Sequence, residues 1–155
     1  MILSKRWSLL QLPSKMGKLI NLRYLDISGV ISLKEMPNDI DQLKSLQQLP
    51  YVIVSQKSGF GIEGLREFPE IRGILKISNM ENVVCVKDAL QANMKDKRYL
   101  DELSLNWDEM ISNDVIQSGA IDDILNKLQP HPNLKKLSIV SYPGVTFPNW
   151  LGDHS

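Results

Sequence analysis

Cysteine is nearly absent from this 155-residue chain: Cys85 stands alone in the run Val83-Val84-Cys85-Val86. One thiol forms no internal disulfide and supplies no metal cluster, which fits a reducing compartment. Its apolar neighbours predict a buried, inert thiol rather than a nucleophile. Charge of one sign is missing too. Lys plus Arg and Asp plus Glu both number 18, giving a formal net charge of zero. The short basic runs Lys5-Arg6, Lys95 to Arg98 and Lys135-Lys136 are read as solvated faces, the second sitting beside Asp96. The basic excess of a nucleic-acid binder or an anionic-membrane binder is therefore lacking. No apolar run approaches the roughly 20 residues of a membrane span, and Lys5, Arg6 and Trp7 interrupt any signal-like start. The absence of an Asn-x-Ser/Thr sequon fits an intracellular, cytoplasmic chain. No G-x-x-x-x-G-K-[ST] phosphate loop occurs, which removes the usual NTPase site.

What is present is a repeat. Leu22-Arg-Tyr-Leu25-Asp-Ile27, Leu100-Asp-Glu-Leu103-Ser-Leu105 and Leu134-Lys-Lys-Leu137-Ser-Ile139 all read L-x-x-L-x-[LI]. Weaker copies lie between them, as Leu46-Gln-Gln-Leu49-Pro-Tyr51 and around Leu75-Lys-Ile77. This is the strand signature of a leucine-rich repeat. The last two apolar residues of each copy are two apart, so in a strand they share one face while their polar neighbours take the other. Stacked copies place the leucines in one continuous core, each contributing on the order of 1.5–3 kcal/mol. Leu25, Ile27, Leu103, Leu105, Leu137 and Ile139 are the core expected from the three clear copies.

Between strands the chain crosses behind the sheet. Ile121, Ile124, Leu125 and Leu128 recur at helical spacing, with Ser118 as a candidate cap and Pro130 as the stop. Lys87 to Lys97 predicts a second back-side helix with Ala89, Leu90, Ala92 and Met94 as its apolar content. Two linkers share [LM]-P-x-x-[MI]-x-x-L, from Leu12 to Leu19 and from Met36 to Leu43, and predict short helical turns after an extended proline entry. From Leu22 to Leu46 is 24 residues and from Leu100 to Leu134 is 34, so short repeats precede long ones. The fold expected is α/β: a leucine-rich-repeat solenoid of about five repeats, with a curved parallel sheet on the concave face and irregular loops, 3₁₀ turns and helices on the convex face. As domains, 1–155 is one leucine-rich-repeat unit, with short repeats over 9–54, a loop or seam over 55–70 containing Gly59, Gly61 and Gly64, and longer repeats with back-side helices over 71–155. Such repeats usually carry Asn or Cys three residues after the third apolar position. Val30, Val54, Met80, Asp108 and Tyr142 stand there instead, so the turn groups must be satisfied in another way.

The segment Leu12-Pro-Ser-Lys-Met-Gly-Lys-Leu-Ile-Asn-Leu-Arg-Tyr-Leu-Asp-Ile-Ser-Gly29 is similar to the repeat region of plant intracellular immune receptors of the nucleotide-binding leucine-rich-repeat type. Gly73-Ile-Leu-Lys-Ile-Ser-Asn-Met-Glu-Asn-Val83, Lys87-Asp-Ala-Leu90, Leu100-Asp-Glu-Leu-Ser-Leu-Asn-Trp107 and Phe147-Pro-Asn-Trp-Leu-Gly152 follow in the order that resembles the subgroup opening with a coiled coil. The resemblance covers nearly all of residues 9–155. It implies a disease-resistance role, in which the repeats sense a pathogen effector directly or through a guarded host protein. The alternative it implies is an intramolecular regulatory segment that restrains the receptor's own nucleotide-binding domain. ADP or ATP is expected only in that domain, and no cofactor in this chain. Taken with the missing phosphate loop, the resemblance makes the chain look like a fragment or a truncated gene product. Its uncapped, Leu- and Trp-bearing ends predict self-association.

The expected protein-binding face consists of the polar x residues: Arg23, Tyr24, Asp26 and Ser28; Lys76 and Ser78; Asp101, Glu102, Ser104 and Asn106; Lys135, Lys136 and Ser138. Each alone reads as an ordinary solvated strand residue; the curved array as a whole is what suggests binding. Asp101-Glu102 and Asp108-Glu109 are paired carboxylates by spacing, but the repeat supplies no cleft for acid–base work. His131 lies between prolines, His154 lies near the terminus, and neither has a nucleophile motif. Trp107 and Trp150 are expected to pack at strand ends. No enzyme is predicted.

Overall fold

The structure, a computed structural model, describes residues 15–27, 35–55, 59–108 and 118–152. Four strands form one sheet: β1 (Tyr51–Ile53), β2 (Gly73–Ser78), β3 (Leu100–Asn106) and β4 (Lys136–Val140). Their order in the sheet is their order in the chain, and every pairing is parallel. An isolated parallel bridge, Tyr24 to Gln48, continues the pattern to the first copy of the repeat. Parallel neighbours require a crossover between them, and each crossover here carries helical pieces. They are the 3₁₀ turn Ile62–Glu67, then α1 (Val86–Gln91) flanked by the 3₁₀ turns Met80–Asn82 and Met94–Asp96, then α2 (Ser118–Lys127). A short α3 (Asn149–Gly152) follows β4.

The back layer also stacks in chain order. The 3₁₀ turn Met16–Lys18 packs beside Asn38–Gln42, that turn packs beside Ile62–Glu67, and α1 lies between Ile62–Glu67 and α2. Both proline-led linkers thus make the short turns expected, although the Leu12-Pro13 entry of the first lies outside the described residues. The backbone amide of Gly17 donates to Asp39 Oδ2 at 3.1 Å across two of these turns. A Cβ at Gly17 would stand 2.8 Å from the Asp39 carbonyl oxygen, so only glycine permits the approach.

The core lies between the two layers. Leu25, Ile27, Leu103 and Leu105 are at most 1% exposed, as are Leu49, Val52, Leu75 and Ile77 in the weaker copies. Leu137 and Ile139 pack against this core but are only half-buried, because β4 is the last strand of the sheet and covers one side of them. From the back, Ile40, Leu65, Ala89, Ala92, Met94, Ile124, Leu125 and Leu128 complete it. Phe60 and Phe68 stack with ring centroids 6.4 Å apart.

Several expectations need correction. The second copy is not Leu46-x-x-Leu49-x-Tyr51: Val52 pairs with Ile77, while Tyr51 pairs with Lys76 and faces outward. The intervening Pro50 lacks an amide, yet its carbonyl accepts from Lys76 N at 2.8 Å, and one extra residue separates the two inward side chains. Residues 87–97 are not one helix, because Asn93 is left-handed at φ 54° and divides α1 from Met94–Asp96. Leu90 is consequently outside, 56% exposed. Cys85 is exposed, since it stands at the entry to α1, beside an equally exposed Val84. The stretch read as a seam contains the Ile62–Glu67 turn and buries Phe60, Ile62, Leu65 and Phe68. Lys97, read within a solvated run, is 1% exposed, and its ammonium donates to the carbonyls of Leu65 at 2.6 Å and Phe68 at 3.3 Å. The capping role of the Ser118 side chain lies outside the described residues, whereas the helix it begins ends at Lys127, ahead of Pro130 as the sequence predicts.

Two carbonyls accept from asparagines one strand further on. Asn82 Nδ2 donates to the Val54 carbonyl at 2.8 Å, and Asn106 Nδ2 to the Ile77 carbonyl at 3.3 Å. The two asparagines stand at different positions of their repeats, Asn82 two residues after the signature position and Asn106 two before it. After β4 a different device takes over. Asp122 of α2 accepts from the Tyr142 hydroxyl at 2.5 Å, from Val145 N at 3.1 Å and from Thr146 Oγ1 at 3.0 Å. Tyr142 also meets Trp107 edge-on at 5.2 Å and stacks on Phe147 at 5.4 Å. Trp107, directly after β3, packs at the strand end as expected and is 6% exposed.

Candidate protein-interaction face

The pleat that sends leucines inward sends their neighbours to solvent, and the register sorts these into rows across the strands. Lys76, Ser104 and Ser138 form one row with Tyr51 at its start. Glu102 and Lys136 form a second, beginning at Ile74. Asn106 pairs with Val140 further along. Of the expected face, the structure thus brings together Lys76, Ser78, Asp101, Glu102, Ser104, Asn106, Lys135, Lys136 and Ser138 on three adjacent strands and their approaches. Arg23, Tyr24 and Asp26 lie at the other end of the sheet, joined through Gln48 and separated from Lys76 by β1. Ser28 lies outside the described residues.

Polar side chains on this face are tied to one another. Lys135 Nζ is 3.1 Å from Asp101 and Lys136 Nζ is 4.0 Å from Glu102, so the four charges at the β3–β4 end neutralise in pairs. Exposed pairs of this kind contribute only about 0.2–1 kcal/mol. They set local potential more than stability. Asn106 Nδ2 donates to Ser104 Oγ at 3.0 Å, Ser78 Oγ donates to the Tyr51 hydroxyl at 2.9 Å, and the Tyr24 hydroxyl donates to Asp26 at 3.2 Å. Burial first, then the adjacent Asp26 carboxylate, push the Tyr24 phenol above its ordinary value. These bonds fix side-chain rotamers on a hydrogen-bonded sheet. What such a surface can do is present a fixed pattern of donors, acceptors and charges to another macromolecule.

The outward residues missed by the sequence reading include Tyr51, Arg72, Ile74, Tyr99 and Val140. Tyr51 was lost to the one-residue slip at Pro50. Arg72 and Ile74 were legible, since alternation carried backwards from Leu75 puts both on the solvent side. Elsewhere, His131 Nδ1 accepts from Asn133 N at 3.1 Å, which caps its turn, and Asp108 N donates to Glu81 at 3.1 Å. Glu109 and His154 lie outside the described residues. Among the described residues no group of three or more His, Cys, Asp or Glu could hold a metal, and no helix is long and apolar enough to cross a membrane.

Residues 62–155 match the family model for R13L1/DRL21 leucine-rich repeats. The chain belongs to that family. It is 41% identical over 117 residues to At3g14460 of Arabidopsis thaliana, whose name assigns it provisionally to disease resistance; the match takes in 72% of this chain and 8% of that protein. It is 35% identical over 113 residues to disease resistance protein RGA2 of Solanum bulbocastanum, across 73% of this chain and 11% of that one. No solved structure matches the chain. It is a leucine-rich-repeat region of the plant disease-resistance type, and it spans only a small part of the relatives it matches.

Proposed function

We propose that this leucine-rich-repeat region is a protein-recognition module of a plant innate immune receptor, acting in the cytoplasm to sense a pathogen effector or a guarded host protein. The observation that carries this reading is the division of the sheet. Every inward side chain of β2 and β3 is apolar and buried, while the outward side chains form cross-strand rows, most of them polar and fixed by their neighbours. Continued over about five repeats, the same alternation gives a curved solenoid whose concave face offers a large surface without internal rearrangement. Its partner is a protein, and the module performs no chemistry on it. The relatives' much greater length supports a second reading, in which the same face docks on the receptor's own nucleotide-binding domain and restrains it.

The test is capture by the immobilised chain of purified effector proteins and, separately, of that nucleotide-binding domain, compared with a Ser104→Arg/Ser138→Arg variant. Two arginines in the middle row obstruct the face without entering the core. Recognition through the face requires capture to fall about tenfold, the loss of a central contact, with the melting temperature unchanged. Equal capture by both forms ends the proposal, and capture of the nucleotide-binding domain alone selects the second reading.

A further inference from the structure

The densest concentration of binding chemistry on the sheet lies on and beside β2. Ile74 is 54% exposed although it sits in the middle of the outward face, between Arg72 and Lys76. Each of these cations lies against a tyrosine. The Arg72 guanidinium is 5.3 Å from the Tyr99 ring centroid, and Lys76 Nζ is 5.9 Å from that of Tyr51. Arg98 approaches the same Tyr99 ring at 5.4 Å. The contrast with the neighbouring strands is electrostatic. Lys135 and Lys136 are neutralised by Asp101 and Glu102. Among the described residues, no acid stands within ion-pair distance of Arg72, Lys76 or Arg98.

An exposed aliphatic residue flanked along its strand by two cations, each lying against a tyrosine, is the arrangement of an interface centre rather than of a solvated strand. Stacking on tyrosine holds the arginines and the lysine in place, so little side-chain freedom remains to be lost on binding. A flat guanidinium on a ring keeps its N–H edge free for a carboxylate. We propose that Tyr51, Arg72, Ile74, Lys76, Arg98 and Tyr99 form a docking site for an acidic protein segment that carries an apolar side chain, the latter seated on Ile74. Charge complementarity selects the segment, and the apolar contact excludes water from the carboxylate–guanidinium pairs. A nucleic acid fits less well, because the strip places isoleucine where a phosphate track needs a fourth cation. The proposal rests on the protein-recognition reading and narrows it to one strip and one partner chemistry.

The test uses the full chain and three fluorescein-labelled peptides of about twelve residues: Glu- and Asp-rich with a central Leu, the same with a central Ser, and the Leu peptide with Lys replacing every acid. A single-stranded oligonucleotide of similar charge is the competitor. The acidic Leu peptide binds about tenfold tighter than the basic one and several-fold tighter than the Ser peptide, and raising salt from about 50 to 300 mM weakens it. Arg72→Glu/Arg98→Glu abolishes that preference, Arg72→Gln/Arg98→Gln reduces it with an unchanged circular dichroism spectrum, and Ile74→Ser removes the difference between Leu and Ser. Equal binding of acidic and basic peptides, no binding of the acidic peptide at about millimolar concentration, or an oligonucleotide that binds as well as the peptide overturns the proposal. Protein capture that survives the strip variants and is lost in Ser104→Arg/Ser138→Arg also overturns it, while leaving the wider recognition reading intact.

Discussion

The ammonium of Lys97 is bound to the backbone of the preceding crossover, 2.6 Å from the Leu65 carbonyl, and it closes the C-terminal end of the Ile62–Glu67 turn. Both carbonyls that accept from it also accept a backbone amide, Leu65 from Phe68 N at 3.1 Å and Phe68 from Ile71 N at 3.3 Å, so the ammonium occupies their second lone pairs. The two carbonyls do not offset the whole cost of removing a cation from water. Burial brings the lysine down to about 8, with nearby Asp96 only partly opposing it.

That depression has a defined sign. The unfolded chain holds the Lys97 proton up to its ordinary 10.5 and the folded chain only to about 8, so between these values the unfolded state binds more protons. Stability therefore rises with pH across that window, by roughly 3 kcal/mol at most for a shift of this size. Above pH 10 the trend reverses, because burial first and the bond to Asp122 second hold the Tyr142 phenol above its ordinary value, favouring the unfolded, ionised form. Chemical denaturation in steps from pH 7 to 11 should show a rise towards pH 10. In Lys97→Met the rise should vanish; a slope of equal size in that variant would place its origin in another group.

A one-residue difference in register gives the second prediction. Val52 is fully buried and Tyr51 is half-buried on the outward side, so Val52→Asp should cost several kcal/mol by burying an unpaired charge while Tyr51→Asp costs less, about 1–2. Thermal melts of the two variants decide it. Were Tyr51→Asp the more damaging, the pairing of Val52 with Ile77 would be wrong. Leu103→Asp, in an unambiguous copy, supplies the reference for a core charge.

These two residues also mark how far the sequence could be read. Strand copies around Leu25, Leu103 and Leu137 were legible, because two leucines at a two-residue offset admit one inward face. The helix at Ile124, Leu125 and Leu128 was legible for the same reason, at its own period. Around Pro50 the copy contained two apolar candidates in succession, and only the pairing with Lys76 and Ile77 selects between them. Lys97 was illegible: nothing local distinguishes a lysine that reaches solvent from one that reaches the backbone of a crossover 32 residues earlier. Cys85 and Leu90 failed similarly, since apolar neighbours in sequence turned out to straddle a turn. The outward-facing residues were legible on β3 and, apart from Val140, on β4, and incompletely so on β2, where the weak copy supplied only two inward residues from which to count.

At the entry to β2, Gly73 has φ 77°, and a Cβ there would meet nothing within 4 Å. Substitution is therefore a matter of backbone conformation alone. Gly73→Val should destabilise by about 1–2 kcal/mol and Gly73→Asn by less, because asparagine tolerates the left-handed region. Equilibrium unfolding of the pair measures it. Equal losses would mean that contacts, rather than the dihedral angle, set the cost.

The bond from Asn82 yields the sharpest chemical test. Asn82 donates to the Val54 carbonyl across a crossover, and Val54 is 2% exposed. Removing the donor in Asn82→Ala strands a buried acceptor and should cost about 1–2 kcal/mol. Asn82→Asp keeps the shape but replaces the donor with an anionic oxygen facing a carbonyl oxygen, so at pH 7 it should be worse than alanine. Its deficit should shrink as the pH falls through the carboxyl's titration, since a protonated acid donates again. Melting temperatures of the three forms at pH 7 and about pH 4 resolve this, and an aspartate variant at least as stable as the alanine variant at pH 7 would show that packing, not the hydrogen bond, is what this position requires.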